Sequence, residues 1–398
     1  MSGKLQIADY AKSIEGSQTL AITTKVAELR QSGKTIIDLG AGEPDFKTPQ
    51  TACQAGIDAI NAGFTKYTPN AGLLELREEI AQYLKRQGGF FSSDQILVCS
   101  GAKHAIFNAL MAVCNPGDEV IIPTPYWTSY PQQVKMAGAT SVLLPTKEET
   151  EFKITAEQLA AAITPKTKAL ILNSPANPTG SVYSQNELDA LVDVLVASEI
   201  FVLSDEIYLE LVYDKFVTNS LSVYKELASQ LILINGFSKS YAMTGWRIGF
   251  MAARQDVVKA AAKLQSHSTS NACSITQHAA IGALRGEDTE ARQMREAFAK
   301  RRDYMVGRLN NISGINALLP RGAFYMYPNI SAYLGKTYKG IVIETPLDLA
   351  SFFLEEAGVA IVPGEAFGSD SHIRISYANS LENLKSALDK MENALRLL

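Results

Sequence analysis

"QILVCSGAKHAIFNALMAVCNPGDEVIIP", residues 95–123, decides the fold. Its first five residues are an apolar, strand-favouring run. In "AKHAIFNALMAVC" (102–114) the apolar residues recur at helical spacing, "NPGD" (115–118) turns the chain, and "EVIIP" (119–123) is again strand-like. The same alternation continues through "KALILN" (168–173), "SQNELDALVDVLVAS" (184–198), "IFVLSDEIY" (200–208), "LILINGF" (231–237) and "RIGFMAA" (247–253). Ser184 with Glu187 three residues on predicts a capping box at the start of the second helix. Strands that are nearly continuously apolar and separated by helices belong to a mainly parallel sheet covered on both faces, so the fold class is α/β.

From about residue 296 the pattern changes. A charged helix, "AFAKRRDYMVGRL", leads to "GAFYMYPNI", the helical "PLDLASFFLEEAG", "VAIVPG", "HIRISYA" and a last amphipathic helix. That order reads as a smaller α+β unit. The apolar "IID" near residue 38 needs a sheet to join, and the smaller unit is the expected host. The organisation expected is an N-terminal arm at 1–46 shared with the small unit, a large domain at 47–295 and a small domain at 296–398.

The 398 residues exceed one ordinary domain. Hydrophobic content of 46% with 20% charged residues is that of a globular protein in water. A formal charge of −4 argues against a nucleic-acid or anionic-membrane surface. No apolar run approaches the ~20 residues of a membrane span. Lys4, Asp9, Lys12 and Glu15 break up the N-terminus, which has no apolar core of the secretory kind. Cys53, Cys99, Cys114 and Cys273 are far apart, and the four histidines show no ligand spacing. A reducing cytoplasm and no metal centre are expected.

The polar residues of interest fall where strands end. In open α/β sheets ligands bind there. Ser100-Gly101-Ala102-Lys103 opens a helix whose free amides can hold an anion, although the same residues also suit a plain tight turn. They are not a P-loop, because Lys103 is followed by His104. Asp205 closes a very apolar strand, either as a cap for the next turn or as a buried carboxylate facing a cation. Asn177 stands between Pro175 and Pro178 in "NSPANPTG", a rigid turn or a plain loop. Lys239, in "NGFSKSYAMTGWRIGF" (235–250), could be a surface charge, a phosphate ligand or a nucleophile. Arg247 and Arg374 adjoin strands, as surface pairs or as forks for phosphate and carboxylate. Together these groups describe one ligand. The helix start and Arg247 suit a phosphate, Asp205 a pyridinium nitrogen and Lys239 an aldehyde; pyridoxal 5'-phosphate has all three.

The chain resembles the fold-type I (class I/II) pyridoxal-phosphate aminotransferases, and most of all the bacterial-type aspartate enzymes. The likeness runs through "LGAGEPDF", "KYTPNAGLLELREEIA", "PTPYWTSYP", "NSPANPTG", "LSDEIY", "FSKSYAMTGWRIG", "RGAFYMYP" and "HIRISYA" in order. It implies a homodimer with sites shared between subunits. Carried over, Lys239 holds the cofactor aldehyde as a Schiff base and then shuttles a proton. Asp205 keeps the pyridine nitrogen protonated, and Asn177 and Tyr208 hold the ring oxygen. Trp127 covers the ring. Gly101, Ala102, Lys103 and Arg247 hold the phosphate, reached also by Tyr67 of the other chain. Arg374, with Asn177 and the backbone at Gly42, receives the substrate α-carboxylate. Many relatives carry a phosphate-binding serine three residues before the lysine, where this chain has Gly236; Ser238 is the nearby substitute.

For side-chain choice the resemblance points to Lys103, with hydroxyls near Ser17 and Thr19, as the receiver of a second carboxylate. That favours aspartate with 2-oxoglutarate, and some members also take prephenate. Rival readings keep the cofactor but use alanine or aromatic donors, or cleave C–S bonds by β-elimination. A catalytically silent module that keeps the fold is the reading from outside enzymes.

Overall fold

The computed structural model describes residues 6–16, 18–287 and 289–398. Strand β1 (Ile37–Asp38) is followed by β2 (Ile96–Cys99), β3 (Glu119–Thr124), β4 (Thr140–Pro145), β5 (Thr167–Asn173), β6 (Phe201–Asp205), β7 (Leu231–Gly236) and β8 (Gly249–Ala252). The last seven of these form one sheet in the order β2-β8-β7-β6-β5-β3-β4. Within it β4, β3, β5, β6 and β7 are parallel, and β8 runs against both neighbours. The reversal has a simple cause. Parallel strands need a long crossover, usually a helix, and the segment 237–248 between β7 and β8 holds only turns.

Successive residues of each central strand point to opposite faces, as the period of two requires. Leu170, Leu172, Val202, Leu231 and Leu233 join one apolar cluster. Ala169, Ile171, Leu203, Ile232 and Ile234 join the other. Helix Ala102–Val113 lies on the second face through Ala105, Ile106, Ala109 and Leu110. Helix Gln185–Ser198 lies on the first through Leu188, Leu191 and Leu195, and its capping box is present, with Glu187 Oε2 accepting from the Ser184 amide at 2.7 Å.

The C-terminal part carries β9 (Tyr325–Met326), β10 (Thr337–Tyr338), β11 (Ile341–Val342), β12 (Val359–Ala360), β13 (Val362–Pro363) and β14 (Ile373–Ser376). Strands β13, β14 and β9 make an antiparallel sheet, and helix Leu381–Leu395 buries Leu384, Leu388 and Met391 in the same apolar cluster as Met326, Ile373 and Ile375 of that sheet. "VAIVPG" is split between two pairings. Its first half, β12, lies parallel to β1, which is how the N-terminal arm joins this unit. One apolar cluster unites Phe298, Phe324, Ile375 and Leu388 with Leu39, Tyr208 and Tyr213, so this unit closes over the carboxyl end of the large sheet.

Candidate active site

Strands β5 and β6 end level with one another, and the adjacent β7 runs two residues further. Asn173 of β5 pairs in register with Asp205 of β6, and Asp205 with Ile234 of β7. The chain therefore leaves the sheet at Asn177, Asp205 and Lys239 around one point. A cavity of about 260 Å3 opens there, lined by Asp205, Tyr208, Asn177, Ser238 and Lys239. Gly42, Ala102, Lys103, Trp127, Arg247 and Arg374 complete its lining. The turn holding Asn177 has cis bonds before both Pro175 and Pro178.

Asp205 is 4% exposed. Its Oδ2 accepts from the Tyr130 hydroxyl at 2.7 Å and its Oδ1 from the Ile207 amide at 3.2 Å. One oxygen thus caps the following turn, as the first sequence reading has it, while the buried side chain also lines the cavity. Burial pushes the carboxyl up to about 6, and the hydrogen bonds with the nearby Lys239 charge oppose that rise. Lys239 is half-buried, with Nζ donating to the Gly42 carbonyl at 2.5 Å. Burial takes its amine down to about 8; Glu43 opposes this, while Arg374 and Arg247 add to it. An amine in that range is partly neutral near neutral pH, which a nucleophile requires.

Arg374 is 2% exposed. One terminal nitrogen donates to Asn177 Oδ1 at 3.0 Å and the other to the Gly40 carbonyl at 2.6 Å, while its Nε is buried without a partner. Its guanidinium lies over Tyr325 and Phe367, with centroids at 4.5 and 5.0 Å. A buried cation with an unmet donor is a place for an anion. The backbone carbonyl beside Arg374 is that of Gly40, and the Gly42 carbonyl is turned instead to the Lys239 ammonium.

Across the cavity, helix Ala102–Val113 begins after Gly101, whose φ of 90° is one that glycine tolerates. The amides of Ala102 and Lys103 belong to the first turn and have no carbonyl within the helix to bond. A Cβ on Gly101 would stand 2.6 Å from the Arg247 guanidinium, so arginine and amides share one edge of the cavity. Arg247 itself has φ 54° and donates to the Thr244 carbonyl at 2.9 Å. Lys103 lies 4.9 Å over the Trp127 ring, its ammonium disfavoured by burial and then by Arg247.

Gly236 sits in β7 against Gly249, and a Cβ there would come within 2.9 Å of the Gly249 Cα. No side chain fits without movement; Ser238 and Ser240 are the buried serines of the loop that follows, and of the two Ser238 lines the cavity. Tyr67 is 91% exposed and does not line the cavity of its own chain. Ser17 lies outside the described residues, as does the Thr19 side chain.

Sequence reasoning missed three supports. Tyr130, in "PTPYWTSYP", fixes Asp205. Tyr325, in "RGAFYMYP", meets the Tyr208 hydroxyl at 2.8 Å. Asn173 donates to the Asp205 carbonyl at 2.9 Å and accepts from the Asn177 amide at 2.9 Å, bracing two site residues. Each lies within or beside a motif of the family likeness, but only the fold shows which oxygen each one meets.

Comparison with known proteins gives this arrangement a lineage. Residues 34–391 match the family "Aminotransferase class I and II". The chain belongs to that family. An aspartate aminotransferase of Geobacillus stearothermophilus is 46% identical over 389 residues, covering 97% of this chain and 98% of the relative. An aspartate/prephenate aminotransferase of Cereibacter sphaeroides is 46% identical over 390 residues, with 97% and 98% covered. The crystal structure of the Rhizobium meliloti aspartate aminotransferase superposes with a TM-score of 0.95 at 42% identity, covering 99% of this chain and all of that one. The family's α/β fold and the sheet found here agree. As an aminotransferase, the chain works on amino acids and 2-oxo acids. No described helix is long and apolar enough to cross a membrane.

Proposed function

We propose that this aminotransferase exchanges an amino group between L-aspartate and 2-oxoglutarate, using pyridoxal 5'-phosphate. One observation carries the reading: the Lys239 amine, brought down to about 8, opens into a cavity between a buried carboxylate and a buried, under-bonded arginine. Each part of the cofactor meets a fitting group. Lys239 would take the aldehyde and Asp205 the pyridine nitrogen. The amides of Ala102 and Lys103 with Arg247, Gly101 and Ser238 would hold the phosphate. Tyr208, fixed by Tyr325, and the Asn177 amide would hold the ring oxygen, and Trp127 would cover a face.

When bound, the cofactor supplies an electron sink for the charge left as a proton departs from the substrate Cα. The chain's own groups do the rest. Arg374 binds the α-carboxylate and so fixes the direction of the Cα–H bond, where orientation lowers the barrier. Lys239, poised near neutral pH, would take that proton and hold it at Nζ. Asp205 stays ionised beside a cation, which offsets the cost of its burial.

Lys103 at the cavity edge supports a substrate with a second carboxylate. Prephenate, also a 2-oxo acid with a second carboxylate, stands as a second acceptor because an aspartate/prephenate enzyme is as similar as an aspartate one. The proposal includes a homodimer in which Tyr67 of each chain serves the other's phosphate, residues 47–295 and the unit of 1–46 with 296–398 as two domains, and a cytoplasmic setting suited to four unpaired cysteines.

The test has two arms. Borohydride reduction of the yellow protein followed by peptide mapping should place the label on Lys239. Assays across single amino donors should then rank aspartate and glutamate first. Label elsewhere removes the lysine assignment, and far faster turnover of alanine or aromatic donors removes the aspartate one.

A further inference from the structure

A second constellation lies outside the cavity, where the large-sheet unit meets the C-terminal unit. Glu148 belongs to a short turn, Glu148–Thr150, that comes after β4. Its carboxylate receives three donors from the C-terminal unit. Asn316 Nδ2 reaches Oε2 at 3.0 Å, and His372 Nε2 reaches Oε1 at 2.9 Å. The side-chain amide of Asn329 also donates to Oε1. The three partners are themselves laced together, since Asn316 bridges Asn329 and Asn329 bridges His372 through the backbone. His372 is buried, and its Nδ1 faces the hydroxyls of Ser369 at 2.9 Å and Ser371 at 3.1 Å.

The same turn sends a ring across. Phe152, held at φ 57°, packs edge-on against His372 at 5.3 Å and Tyr327 at 5.6 Å. His372 and Tyr327 are stacked, 4.9 Å apart and 5° from parallel, and Tyr327 meets Phe367 at 6.0 Å. Phe367 is the ring under the Arg374 guanidinium. His372 stands two residues before Arg374, so along the extended chain the two side chains lean to the same side. An unbroken set of contacts therefore runs from Glu148 to the arginine that faces the cavity, and it begins on the other unit.

We propose that Glu148 is a positioning residue for substrate-carboxylate binding: it anchors, on the large-sheet unit, the strand that presents Arg374. The carboxylate is the group this job needs. It can accept from three donors at once, whereas an amide has a single acceptor oxygen. The anchor sets where Arg374 stands when an α-carboxylate arrives. Its loss therefore acts on substrate capture more than on the proton transfers at Lys239. The inference rests on the reading of Arg374 as the carboxylate receiver.

The holoenzyme with Glu148→Ala should show a KM for both the amino donor and the 2-oxo acid raised about tenfold or more, the scale of hydrogen bonds to a charged group. Its kcat should stay within about threefold and its cofactor absorption spectrum unchanged. Glu148→Gln, which keeps one acceptor, should recover part of the loss. Arg374→Ala, measured alongside, separates the two claims. If Arg374→Ala raises both KM values and Glu148→Ala does not, the anchor is overturned and the arginine reading stands. If Arg374→Ala leaves KM unchanged, both are overturned. A fall in kcat in proportion to folded protein, with KM unaltered, would show Glu148 to be structural only and would also overturn the anchor.

Discussion

The side chains of the cavity are tuned by neighbours that a linear reading cannot place. Asp205 is legible as a polar end to an apolar strand, yet its charge state depends on Tyr130, some 75 positions away in sequence. Removing that donor with Tyr130→Phe takes away a bond that favours the ionised form, so the Asp205 carboxyl should move above about 6. Because burial already holds this group above its ordinary value, ionising it costs stability as the pH rises from the ordinary carboxylate range through about 6. A cation beside it returns that cost. Apoprotein carrying Tyr130→Phe should therefore need a higher pH to take up the cofactor, read as affinity against pH; an unshifted profile would separate Asp205 from cofactor binding. Lys103 makes a sharper distinction. If its ammonium meets the second carboxylate, Lys103→Ala should cut kcat/KM for aspartate by at least about tenfold more than for alanine. Equal losses would confine Lys103 to the phosphate edge.

Elements were easier to read than their pairings. Apolar runs mark β2, β3 and β5 to β8, because buried strands are apolar along their whole length, and they miss the edge strand β4, none of whose residues is fully buried. They could not show that β8 runs backwards, nor that "VAIVPG" serves two sheets, since direction and partner leave no mark in a run of that length. The start of helix Ala102–Val113 shows how closely elements must meet. A Cβ on Gly249 of β8 would stand 2.5 Å from the Ala102 nitrogen and 2.8 Å from the Gly101 carbonyl carbon. Gly249→Ala should push the first helical turn away from Arg247 and so break up the anion site, leaving the helix itself intact. The expected result is cofactor affinity lowered about tenfold or more, measured by equilibrium dialysis, with the far-ultraviolet circular dichroism unchanged. Affinity within about twofold of the parent would show that the amides of this turn are not what holds the phosphate.

At the scale of the whole molecule, one candidate residue has no place in its own chain. Tyr67 is 91% exposed, and Ile57, Ile60, Phe64 and Leu74 in the same stretch are exposed as well. Large apolar side chains on a water-facing surface suit an interface, and the proposed dimer would bring Tyr67 of one chain to the cavity of the other. The sequence carries the motif around Tyr67 but not the symmetry proposed to use it, because a contact between copies has no sequence separation to read. Mixing two defective proteins tests it. Lys239→Ala removes the reacting amine but leaves Tyr67 intact, and Tyr67→Ala weakens phosphate holding but leaves Lys239 intact. In a hybrid dimer one of the two sites pairs an intact Lys239 with an intact Tyr67, and the other lacks both. After exchange of subunits, that first class of site should recover the parental cofactor affinity and turnover, although neither protein alone has them. If the mixture behaves only as the weighted average of its components, Tyr67 acts within its own chain or not at all, and the shared site is lost.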